Sequence, residues 1–476
     1  MNKILIYYKN NFYFILIILV SFLLKFYYFL NLDSWFDEWN MLYTADPNIT
    51  NELTWKRFYG DRGEDGFLPE YYPPLNAFLL KFFLKFTNYF TEYARIYSLI
   101  FGLSSSLLVY VLAYRISGKK CAYISTIIFG LNLFIIWQSN EIRPHSFVLF
   151  FSLLNLIFFL HIIEKKNNLL IFFFYFLFSI LLLSSWPFTL TIYFAKTIYI
   201  LINLKFKNID YKKIFLLFCL ILISYILINH EYLIYHLNRT EHYTNLEKSF
   251  FYSFHFRSFF GSIPLGGIMI LLFGILLLGD LKKNFYSKDN INILLYIIIS
   301  TYFLTIAYSI LRAGVISPKY VIFILPLIII WISHKISLVK FEKELIIFII
   351  LCNILNSYFY FFENPIDRPP IKKVINHISN DDTNFLVMHN NEIFVNAFSS
   401  YKSFNDKKLE IMKLKKNEIN IDIFWFVCLN NPRFAIGDKI LPTEEKCKTI
   451  DKNDNFKTIK TFEIEDFYIK KYSKIK

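Results

Sequence analysis

Long apolar stretches separated by short polar segments dominate the chain. A run of about 20 apolar residues is long enough for a helix to cross the hydrocarbon core of a bilayer. Lys3 and Lys9 precede the first run as in a signal peptide, but the run continues to Leu32 without a small-residue cleavage site, so it is interpreted as a retained helix. The pattern predicts eleven membrane-spanning helices, at 12–32, 95–114, 121–138, 146–163, 168–184, 187–204, 214–230, 263–280, 291–311, 319–334 and 345–362.

One further apolar segment, 74–90, carries Lys81 and Lys85 and decides the topology. Cytoplasmic loops are enriched in Lys and Arg. If 74–90 does not cross, the N-terminus and five short basic loops share one face, which is then cytoplasmic. These loops carry 15 basic residues: Arg115, Lys119, Lys120, Lys165, Lys166, Lys205, Lys207, Lys212, Lys213, Lys282, Lys283, Lys288, Lys335, Lys340 and Lys343. We therefore predict an amphipathic or re-entrant helix at 74–90, on the outer surface.

After about residue 364 the sequence becomes polar and mixed in charge. It predicts a helix from Pro369 to Ile378, a helix at 391–401, and strands at 384–388, 421–429 and around 457–473. The predicted organisation is a transmembrane domain, 1–363, with a first external loop at 33–94, and a small extracytoplasmic α/β domain, 364–476. Gly437 is the only glycine of the second domain, which argues against a glycine-rich phosphate loop.

Composition supports a membrane protein and excludes soluble, disordered and disulfide-scaffolded classes. Of 476 residues, 55% are hydrophobic, 20% aromatic and 18% charged, and the mean hydropathy is +0.41. The net charge of +14 fits cationic cytoplasmic loops rather than a nucleic-acid partner. Of the five cysteines, Cys428 and Cys447 fall in the polar C-terminal part and can pair only in an oxidising compartment.

The first external loop begins with adjacent carboxylates flanked by aromatic residues, Asp37 and Glu38 between Trp35 and Trp39. A carboxylate where a helix leaves the bilayer can take a proton from an acceptor hydroxyl, at the depth where a lipid substrate presents its headgroup. The alternative is an interfacial aromatic belt with solvated acids. The residues alone leave both interpretations open.

A second cluster, Glu141 to His145, lies at the outer junction of two predicted spans. Arg143 is suited to bidentate bonds with a phosphate, and Glu141 is a candidate to orient it. The alternative is a salt-bridged turn in which Pro144 begins the next helix.

Weaker candidates lie in the other external segments. Tyr72 precedes the helix at 74–90 and is either a donor to a substrate or an interfacial anchor. Arg312 and the pair Lys319-Tyr320 bracket the last external loop and are candidates for a lipid phosphate. Lower-ranked cations are Lys56, Arg57, Arg62, Arg239 and Arg257.

Few charges lie within the predicted spans, Lys25 and Lys196 being the clearest. An ion-coupled carrier usually places ionisable groups near the midplane, so the distribution favours an enzyme working at the membrane surface. No His/Cys cluster has metal-ligand spacing, and no serine-nucleophile motif occurs.

The order of these motifs resembles the GT-C glycosyltransferases of family 39 type, which include protein O-mannosyltransferases and lipid A aminoarabinose transferases. The resemblance covers roughly residues 1–345. It rests on Trp35-Phe36-Asp37-Glu38, Tyr72-Pro73-Pro74-Leu75, Ala94-Arg95-Ile96-Tyr97-Ser98, Phe101-Gly102-Leu103, Glu141-Ile142-Arg143-Pro144-His145, Lys319-Tyr320 and Pro326.

The resemblance implies a GT-C fold of about eleven spans, a polyprenyl-phosphate sugar donor and a lipid, glycan or protein acceptor on the outside of a bacterial inner membrane. It implies that Asp37 is a general base or acceptor-orienting carboxylate and that Arg143 and Lys319 bind the donor phosphate. Glu38 and Tyr72 are then second-rank site residues. Many members have His at the position of Tyr72 and Arg at that of Lys319.

If Arg143 and Lys319 neutralise the charge of the leaving phosphate, no metal is required. A divalent ion held by Asp37 and Glu38 is the competing possibility. The alternative function is a lipid-linked oligosaccharide transporter or flippase that forms no bond. A non-enzymatic sensor is the third interpretation, and it leaves Asp37 and Arg143 without a role.

Overall fold

The structure is a computed structural model of the chain. It describes residues 2–475 except 60–69, 71, 165–167, 208–210, 238–254, 282–290, 312–316, 364–367, 382–384, 389–391, 407–409, 414–420, 430–446, 449 and 465–466.

Helices occupy all eleven segments in which the sequence predicts a span. They are α1 (Asn2–Asn31), α5 (Thr91–Leu131), α6 (Leu133–Gln138), α7 (His145–Ile163), α8 (Leu169–Leu183), α9 (Leu190–Lys207), α10 (Tyr211–Ile228), α13 (Ile263–Leu281), α14 (Asn292–Leu311), α15 (Leu325–Ile336) and α16 (Glu342–Tyr358). Shorter helices between them are α2 (Phe36–Thr44), α3 (Asn51–Phe58), α4 (Leu75–Thr87), α11 (His230–Leu237) and α12 (His255–Phe260). Short 3₁₀ segments, Pro187–Thr189 and Ile322–Ile324, precede α9 and α15, and a π-helical turn, Phe359–Glu363, follows α16.

The 41-residue α5 contains a break that separates two predicted spans. Gly118 has φ +84° and ψ −178°, a backbone conformation that residues with a side chain rarely adopt. The break falls among Arg115, Lys119 and Lys120, where the sequence predicts a cytoplasmic turn. The physical reason for a turn there is therefore the glycine together with its charged neighbours.

Six helices of the described residues are long and apolar enough to cross a membrane, and three shorter apolar helices accompany them. The chain is a multi-pass membrane protein. The count of eleven crossings stays a prediction.

Helix α4 occupies the segment 74–90. It buries Asn76 and Lys81 against the protein, and the Lys81 ammonium donates to the Ile49 carbonyl at 2.7 Å. Its exposed face instead carries Phe82 and Phe86, which are 62% and 74% exposed. The buried face also includes Ala77, Leu80 and Leu84, so α4 packs on the protein with one side and presents exposed phenyl rings on the other, as suits a helix that contacts lipid. Its placement on the outer membrane surface stays a prediction.

The two lysines within the spans are buried among neutral groups. Lys25 donates to the Gly102 carbonyl at 3.1 Å and to the Ser106 hydroxyl at 2.9 Å, which links α1 to α5. Lys196 donates to Asn155 and to the Tyr175 hydroxyl, which links α9 to α7 and α8. These contacts tie helices together.

The C-terminal residues form a small domain around a five-stranded sheet of order β2-β1-β3-β5-β4. Its elements are α17 (Ile371–Ser379), β1 (Phe385–Met388), α18 (Glu392–Ser399), α19 (Lys402–Asp406), β2 (Glu410–Lys413), β3 (Ile423–Leu429), a 3₁₀ turn (Ile450–Lys452), β4 (Phe456–Ile464) and β5 (Phe467–Lys474). Strand β1 pairs in parallel with β2 and β3, and β5 pairs antiparallel with β3 and β4. Cys428 and Cys447 form a disulfide within the domain.

Helix α2 packs into the core of this C-terminal domain. Trp39 is fully buried, with its ring 5.0 Å from that of Phe394 on α18. The Ser34 amide donates to the Tyr401 hydroxyl at 2.8 Å, and the Trp39 indole donates to the Ser34 hydroxyl at 2.7 Å. The C-terminal domain thereby fixes the segment that carries the Asp37-Glu38 pair.

Candidate active site

Asp37 lies in the first turn of α2 and meets two cations from distant parts of the chain. Its carboxylate is 3.1 Å from the Lys319 ammonium and 4.0 Å from an Arg143 guanidinium nitrogen. Lys319 lies just before the 3₁₀ segment Ile322–Ile324, and Arg143 lies in the turn between α6 and α7. The structure thus brings together the three residues that the sequence ranked highest.

The electrostatic surroundings keep Asp37 ionised. Burial raises the pKa of its carboxyl, but the charges of Lys319 and Arg143 outweigh burial and hold the pKa well below its usual range. The side chains of Asp37 and Lys319 remain 25% and 30% exposed. An anionic carboxylate is therefore accessible from outside the protein.

Arg143 is held by a carboxylate that the sequence did not assign to it. The Arg143 guanidinium donates to both oxygens of Glu70, at 2.8 and 3.2 Å, and Asn40 donates to the same carboxylate at 2.7 Å. The sequence suggested that Glu141 orients Arg143; the Glu141 carboxylate instead accepts from Arg368 at 3.0 Å, and only the Glu141 carbonyl bonds Arg143, through its backbone amide at 2.8 Å. Each terminal nitrogen of Arg143 donates one N–H to Glu70, so the guanidinium keeps further N–H donors for another group.

Glu38 is fully buried and saturated by hydrogen bonds. Its oxygens accept from Arg95 at 3.1 and 3.2 Å and from Arg368 at 2.6 Å. They also accept from the backbone amides of Ile142 at 3.1 Å and Trp35 at 3.2 Å. Glu38 fixes the loop around Asp37 and has no free lone pair for a substrate.

Glu141 and His145 lie beneath the same cluster and are nearly inaccessible, at 1% exposure each. The Glu141 carboxylate accepts from Arg368 at 3.0 Å, and its other oxygen is 3.7 Å from the His145 Nδ1 atom. The His145 ring packs edge-on against Trp186 at 5.4 Å. Both side chains support the turn that presents Arg143.

An aromatic wall borders the charged cluster. The Tyr72 ring lies 5.4 Å from the Arg143 guanidinium and 5.0 Å from the Trp186 ring. The Trp186 indole donates to the Tyr320 carbonyl at 2.7 Å, and Tyr320 stacks on Phe188 at 5.6 Å. Lys319 lies 5.9 Å from the Trp35 ring. Tyr72 and Trp186 are buried, at 2% and 1% exposure, so the rings available to the apolar side of a sugar or a lipid are the partly exposed Trp35, Phe188 and Tyr320.

Eight of the nine predicted site residues lie in or against this cluster, and Arg312 lies outside the described residues. Arg62 and Arg239 also lie outside them, and nothing is described of the Arg257 side chain. Lys56 instead pairs with Glu52 on the exposed face of α3, and Arg57 donates to the Tyr43 carbonyl at 2.7 Å.

Sequence reasoning missed Arg95 and Arg368 as members of the cluster. Arg95 belongs to one of the motifs that carry the resemblance and stands at the very start of a predicted span, but neither signal gave it a role. Arg368 has none, because an arginine before two prolines in a polar stretch looks like any solvated cation.

The residues do not fit a divalent ion shared by Asp37 and Glu38. Both Glu38 oxygens are occupied by arginine donors, and Lys319 approaches the Asp37 carboxylate at 3.1 Å. Among the described residues, no group of three or more His, Cys, Asp or Glu side chains is arranged to hold a metal. The arrangement suits a base beside two cations, which together can accept a proton and bind an anion.

The sequence matches no protein-family model, and no curated protein matches it significantly. Solved structures do match. The crystal structure of ArnT from Cupriavidus metallidurans, apo or bound to undecaprenyl phosphate, aligns over 98% of both chains with a TM-score of 0.57 and 9% identity. An oligosaccharyltransferase from Archaeoglobus fulgidus aligns over 83% of this chain and 64% of its own, with a TM-score of 0.49 and 11% identity. ArnT is a GT-C protein, so the GT-C-like fold predicted from the order of the motifs is confirmed.

Proposed function

We propose that this protein is a glycosyltransferase that moves a sugar from a polyprenyl-phosphate donor to an acceptor outside the cytoplasm. The acceptor class is lipid A, a surface polysaccharide or glycolipid, or a protein. The observation that carries the proposal is the Asp37 carboxylate, 3.1 Å from Lys319 and 4.0 Å from Arg143, on a GT-C fold. The ArnT structure with undecaprenyl phosphate supports a lipid phosphate as the donor's leaving group.

In the proposed reaction, the acceptor hydroxyl or amine attacks the anomeric carbon of the donor sugar. The bond from that carbon to the phosphate oxygen breaks, and the polyprenyl phosphate leaves with the electron pair. Asp37 takes the acceptor's proton or orients the acceptor, while Arg143 and Lys319 stabilise the charge that develops on the phosphate. A single displacement inverts the anomeric centre. Arg312 stays a sequence-based prediction for the same phosphate.

The other site residues have supporting roles in this proposal. Tyr320 is partly exposed and offers a ring face to the donor, whereas Tyr72 is 2% exposed and packs against the Arg143 guanidinium, so its contact with the donor stays a sequence-based prediction. Glu141 and His145 hold the turn that carries Arg143. Glu38 keeps Asp37 in place through its arginine bonds rather than reacting itself.

Donor binding should convert Asp37 into a stronger base. In the free protein, Lys319 and Arg143 depress the pKa of the carboxyl. A phosphate that shares these cations weakens their hold on Asp37, so the pKa rises toward the range of a useful proton acceptor. The same cations therefore couple phosphate binding to acceptor activation.

Replacing Lys319 by Ala should move the acid limb of kcat/KM to higher pH. Asp37 has a depressed pKa, so the wild type keeps its ionised carboxylate until the pH falls well below the ordinary carboxyl range. Lys319→Ala removes one cation and leaves Arg143 and His145 facing Asp37. The pKa of Asp37, and with it the pH at which kcat/KM falls on the acid side, should rise by about one to three units. The KM for the donor should rise as well.

Lys319→Arg should keep both properties close to wild type, because the charge is retained. Lys56→Ala is the matched control, because Lys56 is an exposed lysine of the first external loop that pairs with Glu52 on α3. An acid limb that stays at the wild-type pH in Lys319→Ala would remove this cation from the electrostatics of Asp37.

The proposed activity is tested with purified full-length protein in detergent and a labelled polyprenyl-phosphate sugar. Transfer gives a glycosylated acceptor and free polyprenyl phosphate in equal amounts, and a chelator leaves the rate unchanged because the cations neutralise the charge. A flippase instead moves the donor across a vesicle membrane without consuming it. If the protein moves the donor across the membrane and forms no glycosidic bond, it is a transporter and not a glycosyltransferase.

The C-terminal domain should lie in an oxidising compartment outside the cytoplasm. Its Cys428–Cys447 disulfide supports this location, because cytoplasmic thiols are kept reduced. Denatured protein taken directly from cells should expose the three thiols of Cys121, Cys219 and Cys352, and five after reduction. A reporter fused after residue 363 should be active outside. Five reactive thiols before reduction, with a cytoplasmic reporter signal, would reverse the topology.

A further inference from the structure

Arg368 joins the C-terminal domain to the charged cluster. It lies three residues before α17, and its side chain is 3% exposed. One terminal nitrogen donates to the Glu38 carboxylate at 2.6 Å and to the Asp33 carbonyl at 2.8 Å. The other donates to the Glu141 carboxylate at 3.0 Å. A single guanidinium therefore bridges two segments that are far apart in sequence.

Each bridged segment presents one residue of the proposed reaction centre. Glu38 is the neighbour of Asp37, and Glu141 lies two residues before Arg143. The described residues link the two segments in three other ways: the Ile142 amide donates to Glu38 at 3.1 Å, the Arg143 guanidinium donates to the Asp37 carbonyl at 3.4 Å, and it approaches the Asp37 carboxylate at 4.0 Å. The Arg368 bridge is thus the strong ionic connection between them.

The position of Arg368 is set by the docked domain. Lys372, on α17, donates from its amide to the Asp33 carboxylate at 3.1 Å and from its ammonium to the Leu32 carbonyl at 3.1 Å. The Tyr401 hydroxyl donates to the same Asp33 carboxylate at 3.4 Å and accepts from the Ser34 amide at 2.8 Å, and the Thr91 amide donates to the Ser400 carbonyl at 2.7 Å. These bonds hold the start of α17 against the end of α1.

We infer that Arg368 is a positioning residue through which the C-terminal domain completes the reaction centre. It holds the segment of Asp37 and the segment of Arg143 at their observed separation. This inference rests on the proposed function. It assigns the domain a part in the chemical step and not only in acceptor binding or solubility.

Loss of Arg368 affects its two partners unequally. Glu38 keeps both bonds from Arg95, whereas the partner that the described residues leave to the Glu141 carboxylate is His145, at 3.7 Å. A buried carboxylate without a close partner relaxes toward solvent or another donor, and the Arg143 turn moves with it. Displacements of about 1 Å at a reacting group reduce rates about 100-fold.

The test compares Arg368→Ala, Arg368→Lys and the control Lys471→Ala in the full-length protein. Lys471 forms an ion pair with Asp381 inside the C-terminal domain, at 2.5 Å, away from the cluster. Arg368→Ala should lower kcat about 30- to 100-fold, with the donor KM within about threefold of wild type. Arg368→Lys should be intermediate, because an ammonium lacks the fork that spans both carboxylates. Added guanidinium should raise kcat in Arg368→Ala alone.

Hydrogen exchange provides a readout that needs no activity. In Arg368→Ala, amides of α2 and of residues 139–144 should exchange faster, while amides of the sheet keep their wild-type rates. Unchanged exchange in α2 and the turn overturns the inference. So does faster exchange throughout the domain without guanidinium rescue, because Arg368 would then only hold the domain folded. If the wild type transfers no sugar but the local exchange changes as expected, the proposed function fails and the positioning role stands.

Discussion

Replacing Asp37 by Asn should abolish most sugar transfer while the protein still folds and inserts. Asn has the same shape but cannot take a proton, and general-base catalysis contributes about 10²- to 10⁴-fold to rates. We expect kcat to fall by about 10³-fold. Donor affinity should be kept or improved, because Lys319 and Arg143 lose a competing carboxylate. The measurements are initial rates and binding of polyprenyl phosphate to purified protein.

The split between rate and affinity separates a base from a phosphate ligand. If Asp37 served mainly to position the cations that bind the phosphate, Asp37→Asn would change the KM for the donor. If Asp37 acts only in the chemical step, Asp37→Asn lowers kcat. Glu52→Gln is the matched control, since Glu52 is an exposed carboxylate of the same loop, 77% accessible. Full activity in Asp37→Asn would remove Asp37 from the mechanism.

Much of the fold is predictable from the sequence because its signals are local. Apolar runs predicted the helices, and the change of composition near 364 predicted the small domain, its helices at 371–379 and 392–399 and four of its five strands, β1, β3, β4 and β5. Strand β2 was missed because its two apolar residues stand between charged ones, whereas the equally short β1 is apolar throughout. The packing of Trp39 against Phe394 also escaped prediction, because a buried tryptophan and an interfacial one look alike in sequence.

The sequence predicted which distant residues share the site only where a known order of motifs connected them. Asp37, Arg143 and Lys319 were ranked together through a resemblance, and the structure brings them together. Charge partners were not predictable in the same way. Arg143 lies beside Glu141 in sequence yet pairs with Glu70, since residues two apart in a turn need not face each other. Ion pairs between distant segments leave no periodic trace, which is why Arg368 was missed.

A substitution of Arg143 is harder to interpret than one of Asp37, because Arg143 is both buried and ion-paired. Its side chain is 6% exposed, and it makes a bidentate bond with Glu70, itself 7% exposed. Removal of one member of a buried pair typically costs about 3–5 kcal/mol, because the other charge is left uncompensated. Arg143→Gln should therefore lower the melting temperature as well as the activity. Taken alone, such a variant does not separate folding from phosphate binding.

The double variant Glu70→Gln/Arg143→Met separates the two effects. Replacing both charges by neutral groups of similar size is often nearly neutral for stability, so the melting temperature should return toward wild type. The activity should not recover, because a donor to the developing phosphate charge is worth about 10²- to 10³-fold. We expect kcat/KM to stay at least about 100-fold below wild type in both variants, with weakened polyprenyl-phosphate binding. Recovery of transfer in the stable double variant would reduce Arg143 to a structural partner of Glu70 and leave Lys319 as the described cation for the phosphate.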